Sequence, residues 1–530
     1  MRLNLETRMS ANAMSIPNPS SSTPRATFTR RDFLRSSSAF AILAAWGGGF
    51  TPAADAAFAS ADEATAYHFL NRTSWGVRAI DVKKVLSKGI GAYLEEQFKG
   101  EKLPGAAAVP STILRLTRAQ ALRLKNRNEV CSKALLFGML KRAATSPAQL
   151  FERVVEFWSD HFNITSEDLQ PDYVDFQRLV IRKHAFGKFR DLLLATAKHP
   201  AMLYYLDNYL NVAEHPNENY AREVMELHTL GVDGGYTEAD VKEVARALTG
   251  WTFDYHREGE GFFFDLDVHD TAAKTVLGAA LAAGRGIADG EDVLNLLASH
   301  PSTARFVCRK LAVRFVADNP PATLVERMVA TWTATDGDIK SVLRAMFLKD
   351  DGRTLTDEFA ASAGGKLRRP LDFFVGAMRA TGTVFSSFQL MEWLLAKLAQ
   401  VPYGWHPPNG YPEPAVAWAN TNGLLERWNT AQTLTDTAQN VPRSGMSTRL
   451  SALVGPALTV GQLVDKCALQ MLGTSLDPDK RAQLIAYVHT DAAGQPTGGT
   501  EMTRLTAALR KAKLGPLCGL LLASPMFQWR

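Results

Sequence analysis

Beyond about residue 60, apolar residues recur three and four positions apart along most of the chain, which is the spacing of one face of an α-helix. One such series runs through Leu150, Val154, Phe157, Trp158 and His161. Strand-like segments are few, and there is no alternation of strands with helices that would indicate a parallel sheet. The chain is therefore predicted to be all-α, a helix-dominated globular protein.

Capping residues predict where several helices begin and end. Ser146-Pro147 suits an N-cap and a first helical position, and Thr237-x-x-Asp240 resembles a capping box. A helix is predicted from about Glu218 to Leu230, where Gly231 ends it. Further predictions are a helical region over 189–209 with a break at His199-Pro200, helices beginning at Ser302 and Pro370, and one small β-hairpin near 251–266.

The N-terminus reads as an export signal. Arg30-Arg31 precede Asp32-Phe33-Leu34, a short apolar run covers 39–46, and Ala57-Phe58-Ala59 resembles a cleavage site. Residues 1–59 are predicted to be a twin-arginine signal peptide with its flanking segment. The mature chain, 60–530, is predicted to be a single helical domain with any subdivision near 350–366. The expected location is periplasmic or secreted, with the twin-arginine translocase as the partner during export.

Charge and hydropathy exclude two classes of partner. The chain holds 59 Lys and Arg against 54 Asp and Glu, and without residues 1–59 the net charge falls to about +2. This balance argues against nucleic-acid binding. No later segment is long and apolar enough to be a transmembrane anchor. The four widely spaced cysteines allow either one or two disulfides or buried free thiols: Cys131, Cys308, Cys467 and Cys518.

The densest group of polar residues covers 217–228. On a helix with about 100° per residue, Asn219, Glu223 and Glu226 lie within about 60° of one another. A separate apolar stripe contains Tyr220, Val224 and Leu227.

The two carboxylates of this face could share acid and base roles or hold a divalent metal. The alternative is a solvated face whose carboxylates pair with Arg222 or Lys242. A pair of catalytic carboxylates, with Asn219 orienting the substrate, is the preferred interpretation.

Three histidines are further candidates for a functional role. His228 lies about 160° from Glu226 on a regular helix, which indicates a structural residue. His161, one turn beyond Trp158, is either a core residue or an assisting acid or base. His269 is followed by Asp270, for which Lys274 is the predicted counter-charge.

The loop 402–414 and the residues after it are rich in proline, glycine and aromatic residues. Its aromatic side chains could form platforms for sugar rings or could pack the loop onto the protein. These side chains are Tyr403, Trp405, His406, Tyr411 and Trp418.

Several of these motifs, in this order, resemble the bacterial domain-of-unknown-function family numbered 1800. The matching segments are 69–76 (FLNRTSWG), 157–162 (FWSDHF), 217–231, 247–251 (ALTGW), His269-Asp270 with Lys274 and Leu277-Gly278, 300–304 (HPSTA), 366–370 (KLRRP), 405–418 and 524–527 (SPMF). The chain departs from the family pattern at His406 and at Met526. The resemblance covers essentially the whole mature chain and implies a mainly helical, often exported protein. It also implies a neighbouring exported partner, from the unknown-function family numbered 1501.

The sequence alone favours a hydrolase that acts on an extracytoplasmic polymer, plausibly a glycan. Glu223, Glu226, His161 and Asn219 are its candidate catalytic residues, with a divalent metal left open. The alternatives are a non-catalytic binding or assembly protein and a metal-dependent redox protein.

Overall fold

The computed structural model describes residues 56–108, 111–165, 170–253, 261–436, 445–491 and 493–530. Most of the predicted export signal, up to residue 55, lies outside these residues. Ala56–Ala57, directly before the predicted cleavage site, pairs with Ser475–Leu476.

Helix accounts for 61% of the residues, which confirms the helix-dominated class. The described residues contain 24 α-helices: Ala61–Thr73, Ala79–Lys88, Ile90–Gln97, Arg118–Leu122, Arg127–Thr145, Gln149–His161, Gln170–Phe176, Phe189–Ala197, Pro200–Tyr205, Glu218–Glu223, Glu238–Ala247, Ala288–Ser299, Pro301–Phe315, Ala322–Thr335, Ile339–Phe347, Asp357–Ala360, Pro370–Thr381, Phe388–Lys397, Thr421–Thr435, Leu450–Val454, Val460–Leu472, Pro478–Val488, Ala507–Ala523 and Pro525–Gln528. Two π-helical turns, Gln177–Arg182 and Val224–Thr229, each continue an α-helix. Short 3₁₀ turns occur at Gly100–Lys102, Thr112–Arg115, Asn208–Leu210, Leu266–Val268 and Ala415–Ala417.

The strands form four antiparallel pairs of two or three residues each. The predicted hairpin is present, with Trp251–Phe253 paired to Phe262–Phe264. Three pairs were not predicted: Lys274–Val276 with Ala279–Leu281, Val384–Phe385 with Met446–Ser447, and Ala56–Ala57 with Ser475–Leu476. Strands this short do not develop the alternating pattern by which a strand is recognised in a sequence.

Two of the predicted helix starts were wrong by small amounts. The helix after Ser146 begins at Gln149, although the Ser146 hydroxyl still accepts a hydrogen bond from the Ala148 N–H at 3.1 Å. The helix expected at Ser302 begins at Pro301, because the His300 ring accepts from the Ser302 N–H and serves as the cap. The capping box of Thr237 with Asp240 and the start at Pro370 are confirmed.

Buried apolar residues form two clusters. One contains side chains between Ala66 and Phe359, and the other combines Trp75 and part of the helix Arg127–Thr145 with residues 371–527. The four cysteine thiols are free and buried, which decides between the two predictions for them. Within the described ranges, no helix has the length and apolar character needed to cross a membrane.

A set of buried charged side chains joins segments that are far apart in the sequence. Ion pairs link Glu156 to Arg314 and Arg369, and Asp372 to Arg153 and Arg530. Asp160 and Glu413 complete what is called here the buried ion-pair network. The helix Gln149–His161 supplies three members of this network, namely Arg153, Glu156 and Asp160. The position of this helix therefore determines where these three charges lie.

Trp158 anchors that helix, and its replacement by alanine is expected to lower the free energy of unfolding by about 3–5 kcal/mol. The indole is fully buried and donates a hydrogen bond to the Ala185 carbonyl at 3.1 Å. Chemical denaturation followed by circular dichroism measures the change. Trp393→Ala is the matched control, because this indole is 53% exposed and its loss should have little effect. Equal losses in the two variants would contradict the packing described here.

Candidate functional site

A cavity of about 630 Å³ lies among the helix Gln149–His161, the helix Pro301–Phe315, the turn 230–233 and the loop 402–414. It is called here the carboxylate cavity. Its lining residues are Phe157, Asp160, His161, Leu230, Gly231, Val232, Asp233, Ser302, Arg305, Phe306, Arg309, Lys310, Val313, Trp405, Asn409, Gly410, Tyr411, Pro412 and Glu413.

Side chains from two other segments of the chain hold the loop in place. The Asn163 amide donates hydrogen bonds to the carbonyl groups of Trp405 and Pro407, both at 2.8 Å. The Tyr205 hydroxyl donates to the His406 carbonyl at 2.5 Å. The loop therefore keeps a defined position although it contains little regular structure.

Gly410 brings the loop against the end of the helix that carries Asp160. Its φ is +71°, and a Cβ atom at this position would lie 2.1 Å from the Asp160 carbonyl oxygen. Only glycine fits both the backbone conformation and this close approach. The contact places the following loop residues, including Glu413, beside Asp160.

Asp160 and Glu413 share one arginine nitrogen. Arg369 Nη1 lies 2.8 Å from Asp160 Oδ2 and 3.1 Å from Glu413 Oε1, so these two oxygens are no more than about 6 Å apart. Arg314 also donates to Glu413 Oε1, at 3.0 Å, whereas Glu413 Oε2 is buried and has no hydrogen-bond partner. The two side chains are 20% and 15% exposed, which leaves both within reach of the cavity.

The surroundings separate the pKa values of these two carboxyl groups. Burial, reinforced by the neighbouring Glu156 carboxylate, raises the pKa of Asp160 to about 7. Burial also opposes ionisation of Glu413, but Arg314 and Arg369 outweigh it and lower the pKa of Glu413 to about 2. Such a division is the usual basis for assigning acid and base roles to paired carboxyl groups.

Lys310 adds a cation to the same cavity. Burial lowers the pKa of Lys310 to about 8, although Asp160 and Glu413 act in the opposite direction. Its ammonium group lies 5.4 Å from the centroid of the Phe306 ring. Lys310 lines the cavity and forms no ion pair among the described residues, so its N–H donors are available to a ligand.

His161 also lines the cavity and is neutral. Burial, Lys310 and His228 hold the pKa of His161 well below its usual value. Its Nε2 donates to the His228 carbonyl at 3.1 Å, because a carbonyl can only accept. Nδ1 therefore carries the lone pair, and it is buried with no partner.

Asn219, Glu223 and Glu226 are not among the residues that line the carboxylate cavity. The two carboxylates are half-buried and lie near each other, since burial and then the charge of Glu226 raise the pKa of Glu223. Tyr236 donates a long hydrogen bond of 3.4 Å to Glu226, and exposed Asn219 donates to the Leu206 carbonyl at 3.3 Å. Their catalytic role stays a prediction.

The π-turn Val224–Thr229 changes which side chains of this helix are buried. The wider turn moves the buried face from Leu227, which was expected in the apolar stripe, to His228. His228 is fully buried with both ring nitrogens unpartnered, and burial lowers its pKa to about 3. The burial of His228 agrees with the predicted structural role. Among the described residues, however, no group forms a hydrogen bond with either ring nitrogen.

His269 lies in a separate cluster. Its Nδ1 lies 2.8 Å from the Thr249 carbonyl, while Asp270 pairs with Arg246 at 2.7 Å. Lys274 lies 3.8 Å from the Asp270 carboxylate but 2.8 Å from Asp289, which is its main partner. Across the described ranges, no three His, Cys, Asp or Glu side chains gather as a set of metal ligands.

The sequence reasoning did not select Asp160, Glu413 or Lys310. Asp160 stands beside the selected His161, and Glu413 lies inside the aromatic loop that was considered as a sugar platform. Of that loop, Trp405 and Tyr411 line the cavity, whereas Trp418 is buried and donates to the Pro412 carbonyl at 2.9 Å. The sequence signal that could have identified this pair is the presence of an acidic residue in each motif, Asp160 next to His161 and Glu413 in the aromatic loop.

Comparison with known proteins identifies the family of the chain. No curated protein and no solved structure matches the chain. The model of the family described as "Protein of unknown function (DUF1800)" matches residues 68–529, which include the carboxylate cavity and the whole buried ion-pair network except Arg530. The chain therefore belongs to the DUF1800 family.

Proposed function

We propose that the protein is a glycan hydrolase whose reaction centre is the carboxylate cavity, with Asp160 as the general acid and Glu413 as the nucleophile. The observation that carries this proposal is the pair of carboxyl groups on one arginine, with a pKa of about 7 for Asp160 and about 2 for Glu413. Trp405 and Tyr411 offer aromatic faces to a sugar ring, with their ring centroids 4.8 Å apart. A cavity of about 630 Å³ is of the size that small-molecule ligands occupy.

In the first step, Asp160 donates its proton to the oxygen of the leaving sugar, the bond from that oxygen to the anomeric carbon breaks, and the Glu413 carboxylate bonds to the anomeric carbon. Water then attacks that carbon, Asp160 accepts a proton from the water, and the bond to Glu413 breaks. Arg314 and Arg369 hold Oε1 of Glu413 and so orient its other oxygen. Lys310 offers its N–H donors to the hydroxyl groups of the substrate, whereas His161, with one ring nitrogen bonded to His228 and the other buried, supports the wall.

The distance between the carboxyl groups predicts the stereochemical outcome. Retaining enzymes place the two groups about 5–5.5 Å apart, and inverting enzymes about 6.5–9.5 Å apart. The two oxygens that share Arg369 are at most about 6 Å apart, which is closer to the retaining distance than to most of the inverting range. We therefore expect the product to keep the anomeric configuration of the substrate, as read by proton NMR during the first minutes of hydrolysis.

The experiment that tests the function incubates the protein with a panel of extracytoplasmic polysaccharides and their oligosaccharides and measures released reducing ends. Release with retained configuration supports the proposal. Saturable binding of a glycan without release would favour the non-catalytic binding role. Neither binding nor release across the panel would overturn the glycan assignment.

The pH dependence provides a separate check. A general acid must be protonated, so kcat/KM is expected to fall as the pH rises through about 7, the pKa of Asp160. Glu413 stays ionised over this range because its pKa is about 2. Initial rates between pH 4 and 9 in buffers of constant ionic strength measure the profile. A rate that stays level from pH 6 to 9 would contradict the role of Asp160.

A further inference from the structure

A second cavity, of about 230 Å³, adjoins a different set of residues on the helix Gln149–His161. It is called here the arginine cavity, because Arg115, Arg142, Arg178 and Arg182 line it. Glu152 and Glu156 face it from the helix. None of its four arginines lines the carboxylate cavity.

The four arginines differ in whether their charge is already matched. Arg182 is held by Glu152 through two hydrogen bonds of 2.8 and 2.9 Å and by Glu101 at 2.6 Å. Arg178 pairs with Asp175, and Arg115 is exposed to solvent.

Arg142 is different, since its half-buried guanidinium makes no hydrogen bond or ion pair among the described residues. Burial, followed by the like charge of Arg182, lowers the pKa of Arg142, and the charges of Glu152 and Glu101 do not outweigh these two effects. A guanidinium in this position is complementary to a planar anion that can accept two parallel hydrogen bonds, as a carboxylate does.

Part of the wall is apolar. Leu114, Leu135, Met139, Val155 and Val174 line the same space. An apolar cavity of about 150 Å³ holds a benzene molecule, so about 230 Å³ accommodates a ring with one substituent. The ligand therefore needs an apolar body as well as an anionic group.

The glutamates limit the charge of that ligand to one. Glu101, Glu152 and Glu156 line the cavity as well, and a dianion would be repelled by them. A phosphate monoester or a dicarboxylate is accordingly a poorer fit than a monocarboxylate.

We propose that the arginine cavity binds a small monocarboxylate with an apolar body of about the size of benzoate, whose carboxylate pairs with Arg142. Tyr403 closes one side of the cavity and packs edge-on against Tyr173, with ring centroids 5.1 Å apart. This proposal does not depend on the hydrolase function, because Arg142, Tyr403 and the apolar side chains of the wall take no part in the proposed reaction.

Isothermal titration calorimetry on the mature full-length chain tests the proposal with benzoate, hexanoate, benzamide and phthalate as probes. Benzoate or hexanoate is expected to bind saturably at one site. Benzamide is expected to bind at least about tenfold more weakly than benzoate, because it is uncharged and loses the charge-assisted hydrogen bonds. Phthalate is expected to bind at least about tenfold more weakly because the glutamates repel its second charge. Equal affinities for benzoate and benzamide would overturn the assignment, as would the absence of binding by every monocarboxylate.

Two variants and a matched control locate the site. Arg142→Met keeps most of the side-chain stem and removes the charge, so benzoate binding should be lost. Arg142→Lys keeps the positive charge and serves if the first variant folds poorly. It should weaken benzoate binding about tenfold, because lysine cannot form the two parallel hydrogen bonds of a guanidinium group. Lys141→Met is the control, since Lys141 is exposed on the same helix and does not line the cavity. Unchanged affinity in Arg142→Lys, or an equal loss in Lys141→Met, would show that the carboxylate binds elsewhere.

Discussion

Replacing Asp160 with asparagine is expected to lower the turnover of a natural glycan by about 10²–10⁴-fold, which is the usual contribution of a positioned general acid. Asparagine keeps the size of the side chain and an oxygen that Arg369 can contact, so the fold should be retained. The variant cannot donate the proton that the leaving sugar oxygen needs. Initial rates on the best substrate of the polysaccharide panel, together with the circular dichroism spectrum, measure both effects.

The leaving group separates an acid from a structural residue. An aryl glycoside with an acidic phenol leaves without protonation, so Asp160→Asn should recover most of its rate on such a substrate. Glu413→Gln should not recover, because it lacks the nucleophile whatever the leaving group is. A large loss on both kinds of substrate in Asp160→Asn would assign the residue to structure instead.

Glu226→Gln serves as the control and tests the sequence-based interpretation at the same time. If the reaction centre is the carboxylate cavity, this variant should retain nearly full activity, because Glu226 does not line it. If Glu223→Gln or Glu226→Gln lost turnover while Asp160→Asn stayed active, the catalytic carboxylates would instead be Glu223 and Glu226, on the helix Glu218–Glu223 and the turn after it.

Replacing Asp372 with asparagine is expected to lower the free energy of unfolding by about 3–5 kcal/mol, the usual cost of removing one partner from a buried ion pair. Asp372 is fully buried and pairs with Arg153 and with Arg530, the latter at 2.8 Å, while Arg314 lies 3.9 Å away. Asparagine has nearly the same shape but leaves these guanidinium groups without a buried counter-charge. Urea denaturation followed by circular dichroism measures the loss.

The pH dependence of this difference has a definite sign. The surrounding arginines outweigh burial and hold the pKa of Asp372 well below its usual value of 3.8. Its contribution to stability is therefore complete above about pH 4 and is lost as the pH falls through the lower value of the folded state. The wild type and Asp372→Asn should converge in stability at strongly acidic pH.

Glu326→Gln is the matched control for Asp372→Asn. It also breaks a pair with an arginine, Arg305, but both side chains are more than half exposed. Exposed pairs contribute little, so no measurable change is expected. A similar loss in both variants, or a loss below about 1 kcal/mol for Asp372→Asn, would contradict the importance of burial in the network.

The sequence predicted well the features that depend on neighbouring residues. Helical periodicity located the helix that carries Trp158, and Thr237 with Asp240 marked a helix start, because both signals lie within a few residues of each other. The hairpin near 251–266 was also found for the same reason.

The carboxylate pair could not be found in this way. Asp160 and Glu413 meet through Arg369, and each lies more than 40 residues from the next along the chain. Neither residue has a spacing that marks it, and the contact depends on Gly410 allowing the loop to reach the helix end. The pKa of Asp160 likewise depends on burial, which only the assembled structure provides.

The error at Leu227, which was expected in the buried stripe, has a different cause. The prediction assumed about 100° per residue throughout the helix, and the π-turn Val224–Thr229 breaks that assumption. The hydrogen bond from the Leu230 N–H to the Met225 carbonyl, at 2.8 Å, spans five residues instead of four.

A π-turn of this kind is equivalent to an α-helix with one inserted residue. Deleting one residue between Val224 and Thr229 would restore the regular helix and rotate the segment before the turn by about 100° relative to the segment after it. The shortened chain could then keep Tyr220 packed in the core or the turn 230–233 at the cavity, but not both. The length of this segment, as well as the identity of its residues, therefore decides whether the turn 230–233 can reach the cavity while Tyr220 stays in the core.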